Sequence, residues 1–333
     1  MTTWPTAELH VHVEGTLEAD LLIELARRND VQLPSDDPDV LRARYTFADL
    51  QSFLDVHYSN LSVLRTEQDF YDLASGYLRR AVRAGVRRAE IFFDPQEHMS
   101  NGVPFEAVIG GLDGAIADAT RATGISADLI LCFLRHLGAE AAMEMLETAL
   151  PFRDRFIGVG IDSTEIGYPP SLFTEVYARA AAEGLHRVAH AGEEGGPDYV
   201  REALDLLHVE RIDHGNRSLE DPALVRRLRD ERIPLTVCPL SNVALRTAPD
   251  DLAQHPLRTM LAEGLVVSAN SDDPAYFGGY IDDVYLAIES SLSLGAADLA
   301  TLARNSFAST FATDAQKAAW IAEVDEVLAR TAG

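Results

Sequence analysis

Short apolar runs alternate with longer stretches of mixed apolar and polar residues along most of the chain. Each run has the length and the β-branched or aromatic content of a buried strand. The predicted strands are residues 7–13, 88–94, 127–133, 157–162, 186–190, 211–215, 233–239 and 265–270. Two of the intervening stretches, 197–207 and 221–231, have helical periodicity, and the second begins with an N-cap aspartate followed by proline.

The alternation of eight strands with helices predicts a parallel α/β fold, because parallel strands need long crossover connections that are usually helical. Eight strands are also the number that closes a (β/α)8 TIM barrel. A doubly wound open sheet is the alternative, but no glycine-rich phosphate loop follows the first strand, which weighs against it. We therefore predict that residues 1–333 form a single barrel domain.

The connection between the first and second strands, residues 16–86, is far longer than one crossover requires. It contains an apolar and aromatic set consisting of Tyr45, Phe47, Leu50, Phe53, Leu54 and Tyr58. We expect extra helices here, which either form a lid over the mouth of the barrel or pack as ordinary helices.

The formal charge of −25, with 28 basic and 53 acidic residues, makes nucleic acid and anionic membranes unfavourable partners. A neutral small molecule is the better expectation. The amino-terminal segment lacks the basic start and apolar core of a signal peptide, and no apolar stretch is long enough to span a bilayer, so a cytoplasmic location is expected. Cys132 and Cys238 lie in apolar runs and are expected to be buried, reduced thiols.

Residues with metal-binding and acid–base chemistry follow several of the predicted strands. In a barrel, the carboxyl-terminal ends of the strands form one face of the molecule, and active sites lie there. The residues at these ends are His10 and His12, His190 with Glu193, His214, and the pair Asp272 and Asp273. Because the two histidines of the first strand are spaced by two, their side chains point to the same side.

Taken singly, each of these residues has an ordinary structural explanation. Together, four of the ten histidines and three acids at the ends of four strands favour a metal site. Imidazoles with one carboxylate suit Zn²⁺, and we expect His10, His12, His190 and Asp272 as its ligands. One zinc per chain is expected, because Lys317 is the only lysine, lies in the last helix, and cannot supply a carboxylated lysine bridge between two metals.

With these residues assembled, the chain resembles the adenosine/adenine deaminase family of the amidohydrolase superfamily, and within it the adenine deaminase branch. The matching segments are "ELHVHVEGT", "GIDSTEIG", "HAGEEG", "RIDHG", "CPLSN" and "SDDPAYFGGY", with further likeness at "EIFFDPQEH", "FLRHL" and "ARNSF". The resemblance implies a (β/α)8 barrel with one zinc. It also implies an aminohydrolase that converts adenine to hypoxanthine and ammonia in purine salvage.

The resemblance also implies roles for individual residues. Glu193 would protonate N1 of the purine, which makes C6 electrophilic. His214 would orient and deprotonate the water held by the zinc and stabilise the alkoxide that follows attack. Asp273 would form a hydrogen bond with N7.

The substrate-binding residues implied by the resemblance are Asp273, Glu165, Ser163 and Glu14. Glu165 stands where adenosine-specific members have a glycine, and Glu14 stands where they have a shorter aspartate. A carboxylate at position 165 can accept a proton from the N3/N9 edge of a free base and would collide with a ribosyl group. Tyr168 departs from the histidine that is usual in the adenine branch.

Two alternatives therefore remain open. The substrate can be another 6-aminopurine, such as an N6-substituted adenine, adenosine or an aminofutalosine-type nucleoside. A non-enzyme alternative is an inactive barrel that binds purines. The oligomeric state is left open.

Overall fold

Eight parallel strands form one sheet in which each strand pairs with the next along the chain, in a computed structural model that describes residues 3–331. The strands are β1 (Thr6–Glu8), β2 (Val86–Phe93), β3 (Ser126–Leu134), β4 (Gly158–Asp162), β5 (His186–Ala191), β6 (Arg211–His214), β7 (Pro234–Val237) and β8 (Val266–Ala269). The backbone N–H of Asp272 donates to the carbonyl of His10, and the N–H of His12 donates to the carbonyl of Asp272, both at 3.0 Å. These bonds join the two ends of the sheet and confirm the predicted (β/α)8 barrel.

Helices surround the sheet. Within residues 3–331 the α-helices are α1 (Ala19–Arg28), α2 (Pro38–Arg42), α3 (Leu50–Leu61), α4 (Glu67–Ala84), α5 (Pro95–Ser100), α6 (Phe105–Thr123), α7 (Gly138–Ala149), α8 (Thr174–Ala182), α9 (Pro197–Asp205), α10 (Pro222–Asp230), α11 (Pro239–Ala244), α12 (Leu257–Ala262), α13 (Pro274–Phe277), α14 (Ile281–Ser291), α15 (Ala296–Ala308) and α16 (Asp314–Thr331). Short 3₁₀ turns lie at Glu14–Thr16, Arg135–Leu137, Leu150–Arg155, Pro170–Phe173, Asn216–Glu220 and Leu252–Gln254. None of the helices in the described part of the chain combines the length and the apolar character needed to cross a bilayer.

The main core lies between the sheet and the helices, where the apolar faces of both pack together. A smaller group inside the barrel consists of Phe92, Ile130, Cys132 and Val188. Both cysteines are buried and free, as the sequence predicts. The barrel interior also holds a fully buried ion pair, in which Arg211 Nη1 donates to Glu90 Oε2 at 2.6 Å.

The first strand is shorter than its sequence pattern predicts. Residues 7–13 were expected to form it, but regular pairing ends at Glu8, and Val11 and His12 make only isolated bridges to Asp272 and Phe92. The physical reason is a side chain: the N–H of Leu9 donates to Oδ1 of Asn270 at 2.9 Å. The segment that carries both histidines therefore leaves the regular ladder before it reaches the site.

The long connection between β1 and β2 forms α1 to α4, which confirms the predicted extra helices. One of them, α3, lies over the carboxyl ends of the strands, and its Leu50, Phe53 and Leu54 line the cavity there. Its apolar residues pack with residues of α13 in a cluster separate from the main core, made of Phe47, Leu50, Phe53, Leu54, Leu245, Tyr276 and Phe277. This cluster covers the mouth of the barrel.

Candidate active site

A cavity opens at the carboxyl ends of the strands, beneath α3. Most of the residues that the sequence singles out line it, namely His12, Ser163, His190, Glu193, His214, Asp272 and Asp273. His10 lies beneath the residues that line the cavity and is fully buried. Residues separated by more than 260 positions in the chain thus meet on one face, because the closing barrel joins β8 to the segment after β1.

The four expected metal ligands converge on one point. Donor atoms of His10, His12, His190 and Asp272 all lie within 4.8 Å of one another. His10 Nε2 is 3.3 Å from Asp272 Oδ1, and His12 Nε2 is 3.2 Å from His190 Nε2. His10 Nε2 is buried and has no hydrogen-bond partner in the structure, as expected of an atom that donates its lone pair to a metal. Three imidazoles and one carboxylate fit Zn²⁺.

A second grouping places Cys238 with His10, His214 and Asp272. Burial raises the pKa of the Cys238 thiol well above its ordinary value. Because a thiol binds metal as a thiolate, this cysteine is the poorer ligand. We therefore favour the set that contains His12 and His190.

Neighbouring side chains orient the histidines. His10 Nδ1 lies 3.0 Å from Thr236 Oγ1, and Thr236 Oγ1 donates to Asp213 Oδ1 at 2.8 Å. These contacts turn His10 Nε2 toward the centre of the cluster. Such partners fix the tautomer and the orientation of metal-binding imidazoles.

Two further acids face His12, and the sequence analysis missed both. His12 Nδ1 lies 3.5 Å from Asp94 Oδ2 and 3.5 Å from Asp162 Oδ2. Asp94 follows β2 and Asp162 ends β4, so the strand-end rule that found the other residues would also have found these two. They form a third possible metal-binding group with His12.

Three residues of the site adopt the left-handed backbone region, which side chains other than glycine rarely occupy. The φ angles are 68° at Ser163, 65° at His214 and 65° at Asp272. Such conformations cost free energy and concentrate at functional sites, where they aim a side chain that regular geometry would direct elsewhere.

Burial shifts the pKa values of the acid–base groups of the cavity in different directions. Burial raises the pKa of Glu193 well above its ordinary value, and burial together with the charge of Asp272 does the same for Asp273. Burial lowers the pKa of His214 well below its ordinary value. These shifts favour the protonated form of the two carboxyl groups and the neutral form of the imidazole.

His214 lies between the four expected metal ligands and Glu193. Its Nε2 atom is 3.6 Å from Glu193 Oε2 and 3.9 Å from Asp272 Oδ2. Its other ring nitrogen, Nδ1, lies 3.2 Å from the side-chain amide of Asn242, which fixes the orientation of the ring. A group bound between the metal and Glu193 would be within reach of this imidazole.

Glu14 and Glu165 lie outside the lining of the cavity, and their contact with substrate stays a prediction. Both are fully buried, and neither lines the cavity. Glu14 Oε1 accepts from the N–H of Asp94 at 3.0 Å, and Glu165 Oε2 accepts from the N–H of Glu193 at 3.1 Å. The carboxylates are turned toward backbone donors, which a sequence pattern does not reveal.

The opposite wall of the cavity comes from α3. Tyr58 donates from its hydroxyl to Ser163 Oγ at 3.3 Å, and Ser163 Oγ also lies 2.8 Å from His136 Nδ1. His57, on the same helix, lines the cavity, and burial lowers its pKa to about 3. This wall is therefore neutral and largely apolar, as suits an aromatic ligand.

Comparison with known proteins places the chain among purine deaminases. Residues 5–327 match the family model described as adenosine deaminase. An adenine deaminase of Cupriavidus necator is 57% identical over 321 residues, which cover 96% of this chain and 91% of that protein. An adenine deaminase of Streptomyces coelicolor is 58% identical over 323 residues, which cover 96% of this chain and 95% of that one.

Two solved structures are similar over nearly the whole chain. The adenine deaminase of Arthrobacter aurescens superposes with a TM-score of 0.95 at 53% identity, covering 97% of this chain and 98% of that one. An amidohydrolase of Burkholderia ambifaria, whose structure contains bound zinc, superposes with a TM-score of 0.91 at 32% identity, covering 99% and 92%.

Proposed function

The chain belongs to the adenosine deaminase family, and from that premise we propose that it hydrolyses free adenine to hypoxanthine and ammonia in purine salvage. Family membership makes it an enzyme that removes the amino group of a purine. The choice of adenine is supported by relatives above 50% identity that are named adenine deaminases. We also propose that the barrel is a single domain that carries the whole activity.

The observation that carries the proposal is the arrangement of two kinds of group in one cavity. A cluster of three imidazoles and one carboxylate lies beside Glu193, whose pKa burial raises, and His214, whose pKa burial lowers. Hydrolysis of an aromatic amidine needs a nucleophilic water, a proton for the ring and a base for the proton of the water. Each requirement has a matching group within this cavity.

We propose that His10, His12, His190 and Asp272 hold one Zn²⁺. When bound, zinc lowers the pKa of a coordinated water to about 7 and so supplies a nucleophile at neutral pH.

The remaining residues act on the purine and on protons. Glu193 delivers a proton to N1, which withdraws electrons from C6. His214, whose burial lowers its pKa and so favours the neutral imidazole, accepts the proton that the attacking water gives up. Asp273, whose burial raises its pKa and so favours the protonated carboxyl group, donates a hydrogen bond to N7 and holds the ring in place. The proton that His214 has taken up then passes to the amino group, and the C6–N bond breaks as ammonia leaves. The added oxygen becomes the carbonyl of hypoxanthine, and its remaining proton returns to Glu193.

The test is ammonia release from a panel of purines by the zinc-loaded protein. We expect kcat/KM to be highest for adenine and lower for adenosine and for N6-methyladenine. A protein that holds one zinc per chain and releases no ammonia from any member of the panel would support the inactive purine-binding barrel. A preference for a nucleoside would replace adenine as the substrate while leaving the chemistry in place.

A further inference from the structure

We infer that Arg135 and Glu165 form a buried positioning unit that sets the segment from His190 to Gly195. That segment carries both a metal ligand, His190, and the proton donor, Glu193. The inference rests on the proposed function, because it concerns how these two groups are placed relative to each other.

Glu165 holds one end of the segment. It follows β4 and is fully buried. Its Oε2 atom accepts from the backbone N–H of Glu193 at 3.1 Å and from the N–H of Gly195. Because both N–H groups donate to the same oxygen, this side chain fixes the backbone on both sides of Glu194.

Arg135 holds the other end. It lies directly after β3, and its side chain is fully buried. Its Nη1 atom donates to the carbonyl of His190 at 2.8 Å, and its Nε atom donates to the carbonyl of Tyr168 at 2.9 Å. The guanidinium therefore ties the residue that carries the metal-ligating imidazole to the loop after β4.

The two side chains complete each other electrostatically. Arg135 Nη1 lies 3.9 Å from Glu165 Oε1, and both residues are fully buried. A buried charge that loses its partner is strongly unfavourable, whereas the pair together is tolerated. Each side chain therefore holds the other in place while its remaining atoms hold the backbone.

The segment between them has little other regular support. β5 ends at Ala191, α9 begins at Pro197, and Gly192 has a φ of 79°. Arg217 supports this segment at two other points, through its N–H to the carbonyl of Gly192 at 2.9 Å and through Nη1 to the carbonyl of Glu194. The N–H of Glu193 itself is bound by Glu165. Removing Glu165 therefore frees the backbone at the proton donor.

The competing role for Glu165 is direct contact with substrate. Its Oε1 atom has no hydrogen-bond partner in the structure, so this role makes a separate prediction. A residue that contacts the purine would change KM and the ratio of adenine to adenosine turnover. A positioning residue would change kcat and leave both of these quantities nearly constant.

The experiment compares Glu165→Gln, Glu165→Ala and Arg135→Lys with a matched control, Asp69→Asn. Asp69 is also a fully buried carboxylate that accepts from two backbone N–H groups and faces an arginine, Arg28, but it lies away from the cavity. Displacement of a reacting group by about 1 Å can cost about 100-fold in rate. We expect Glu165→Ala to lower kcat by about that factor with KM within about threefold, and Glu165→Gln to recover part of the loss.

Zinc affinity gives a readout that does not depend on turnover. Because Arg135 holds the carbonyl of His190, we expect Arg135→Lys to weaken zinc binding about 10-fold in chelator competition. Asp69→Asn should lower the Tm while leaving kcat and zinc affinity unchanged.

Three results would overturn the inference. These are a folded Glu165→Ala protein with unchanged kcat, a rise in KM with a changed adenine-to-adenosine ratio, and unchanged zinc affinity in Arg135→Lys. If the wild-type protein binds zinc but deaminates no purine, the proposed function fails, and the zinc affinities still decide whether the unit positions His190.

Discussion

The Oδ1 atom of Asp272 lies 3.3 Å from the Nε2 atom of His10, and the backbone of the same two residues is hydrogen-bonded at 3.0 Å. The same two residues therefore serve both the closure of the barrel and the assembly of the proposed metal site. The backbone bond depends on the chain path, and the side-chain contact depends on the carboxylate. The two functions can be separated by a substitution that removes only the side chain.

Asp272→Ala should abolish tight zinc binding and leave a folded barrel. The substitution removes one of the four proposed ligands but keeps the N–H and carbonyl that bond to His10 and His12. Zinc content per chain, measured after dialysis, should fall well below one, while the circular dichroism spectrum stays unchanged. A stoichiometric zinc content in this variant would exclude Asp272 as a ligand.

Asp273→Ala should spare the metal and impair catalysis. Asp273 lines the cavity, and its carboxyl group is expected to donate to N7 of the purine. Loss of one hydrogen bond from a buried substrate should raise KM and lower kcat/KM by about 10- to 100-fold, which corresponds to about 1.5–3 kcal/mol. Steady-state kinetics and a parallel measurement of zinc content should show impaired catalysis with zinc retained. Loss of zinc from this variant to the same extent as from Asp272→Ala would contradict the prediction.

Glu193→Gln should lower kcat by about 10²- to 10⁴-fold, because a positioned proton donor contributes that much to catalysis. Burial raises the pKa of Glu193 well above its ordinary value, so the donor is protonated at low pH and loses its proton as pH rises through that raised pKa. The kcat of the wild-type enzyme should therefore fall on the alkaline side. The residual activity of the glutamine variant should lack this alkaline decline, and an unchanged profile would assign the decline to another group.

Glu90→Gln should destabilise the fold and weaken the pH dependence of its free energy of unfolding. Burial alone would raise the pKa of Glu90, but the charges of Arg211 and Arg88 lower it below its ordinary value. A lowered pKa in the folded state gives stability that is present above the unfolded value of about 4.5 and is lost as pH falls through the folded pKa.

Breaking such a buried pair costs about 3–5 kcal/mol in the free energy of unfolding at neutral pH. Urea unfolding at pH 7 and near pH 4 measures both effects. The exposed Glu326→Gln serves as the control, and a Glu90→Gln protein that unfolds at the same urea concentration as that control would contradict the prediction.

The sequence alone predicted the eight strands and the residues that come together at their ends. Strand periodicity placed His190 and His214 at the ends of β5 and β6, and the barrel rule then put both on one face. A lone aspartate at the end of a strand is less distinctive than a histidine, because aspartate is also common in turns. Asp94 and Asp162 were therefore missed, although they face His12 at 3.5 Å.

The local pattern could not give the direction in which a side chain turns. Glu165 falls in a segment that resembles a substrate-binding motif, yet its carboxylate turns toward the backbone of Glu193. Likewise, the alternating pattern at residues 7–13 reads as a continuous strand, yet the side chain of Asn270 takes the N–H of Leu9. In both cases the deciding partner comes from a segment distant in the chain.

The sequence by itself determined the fold class, the identity of the candidate ligands and the residue types needed for hydrolysis, because these depend on periodicity and on chemistry carried within each segment. The tertiary structure decided which atoms come into contact and in which direction the pKa of each acid–base group shifts. Burial raises the pKa of Glu193 and lowers that of His214, and burial exists only once the barrel has closed. Arg135 acquires its proposed role in the same way, since its contacts with His190 and Glu165 form only when β3, β4 and β5 pair side by side.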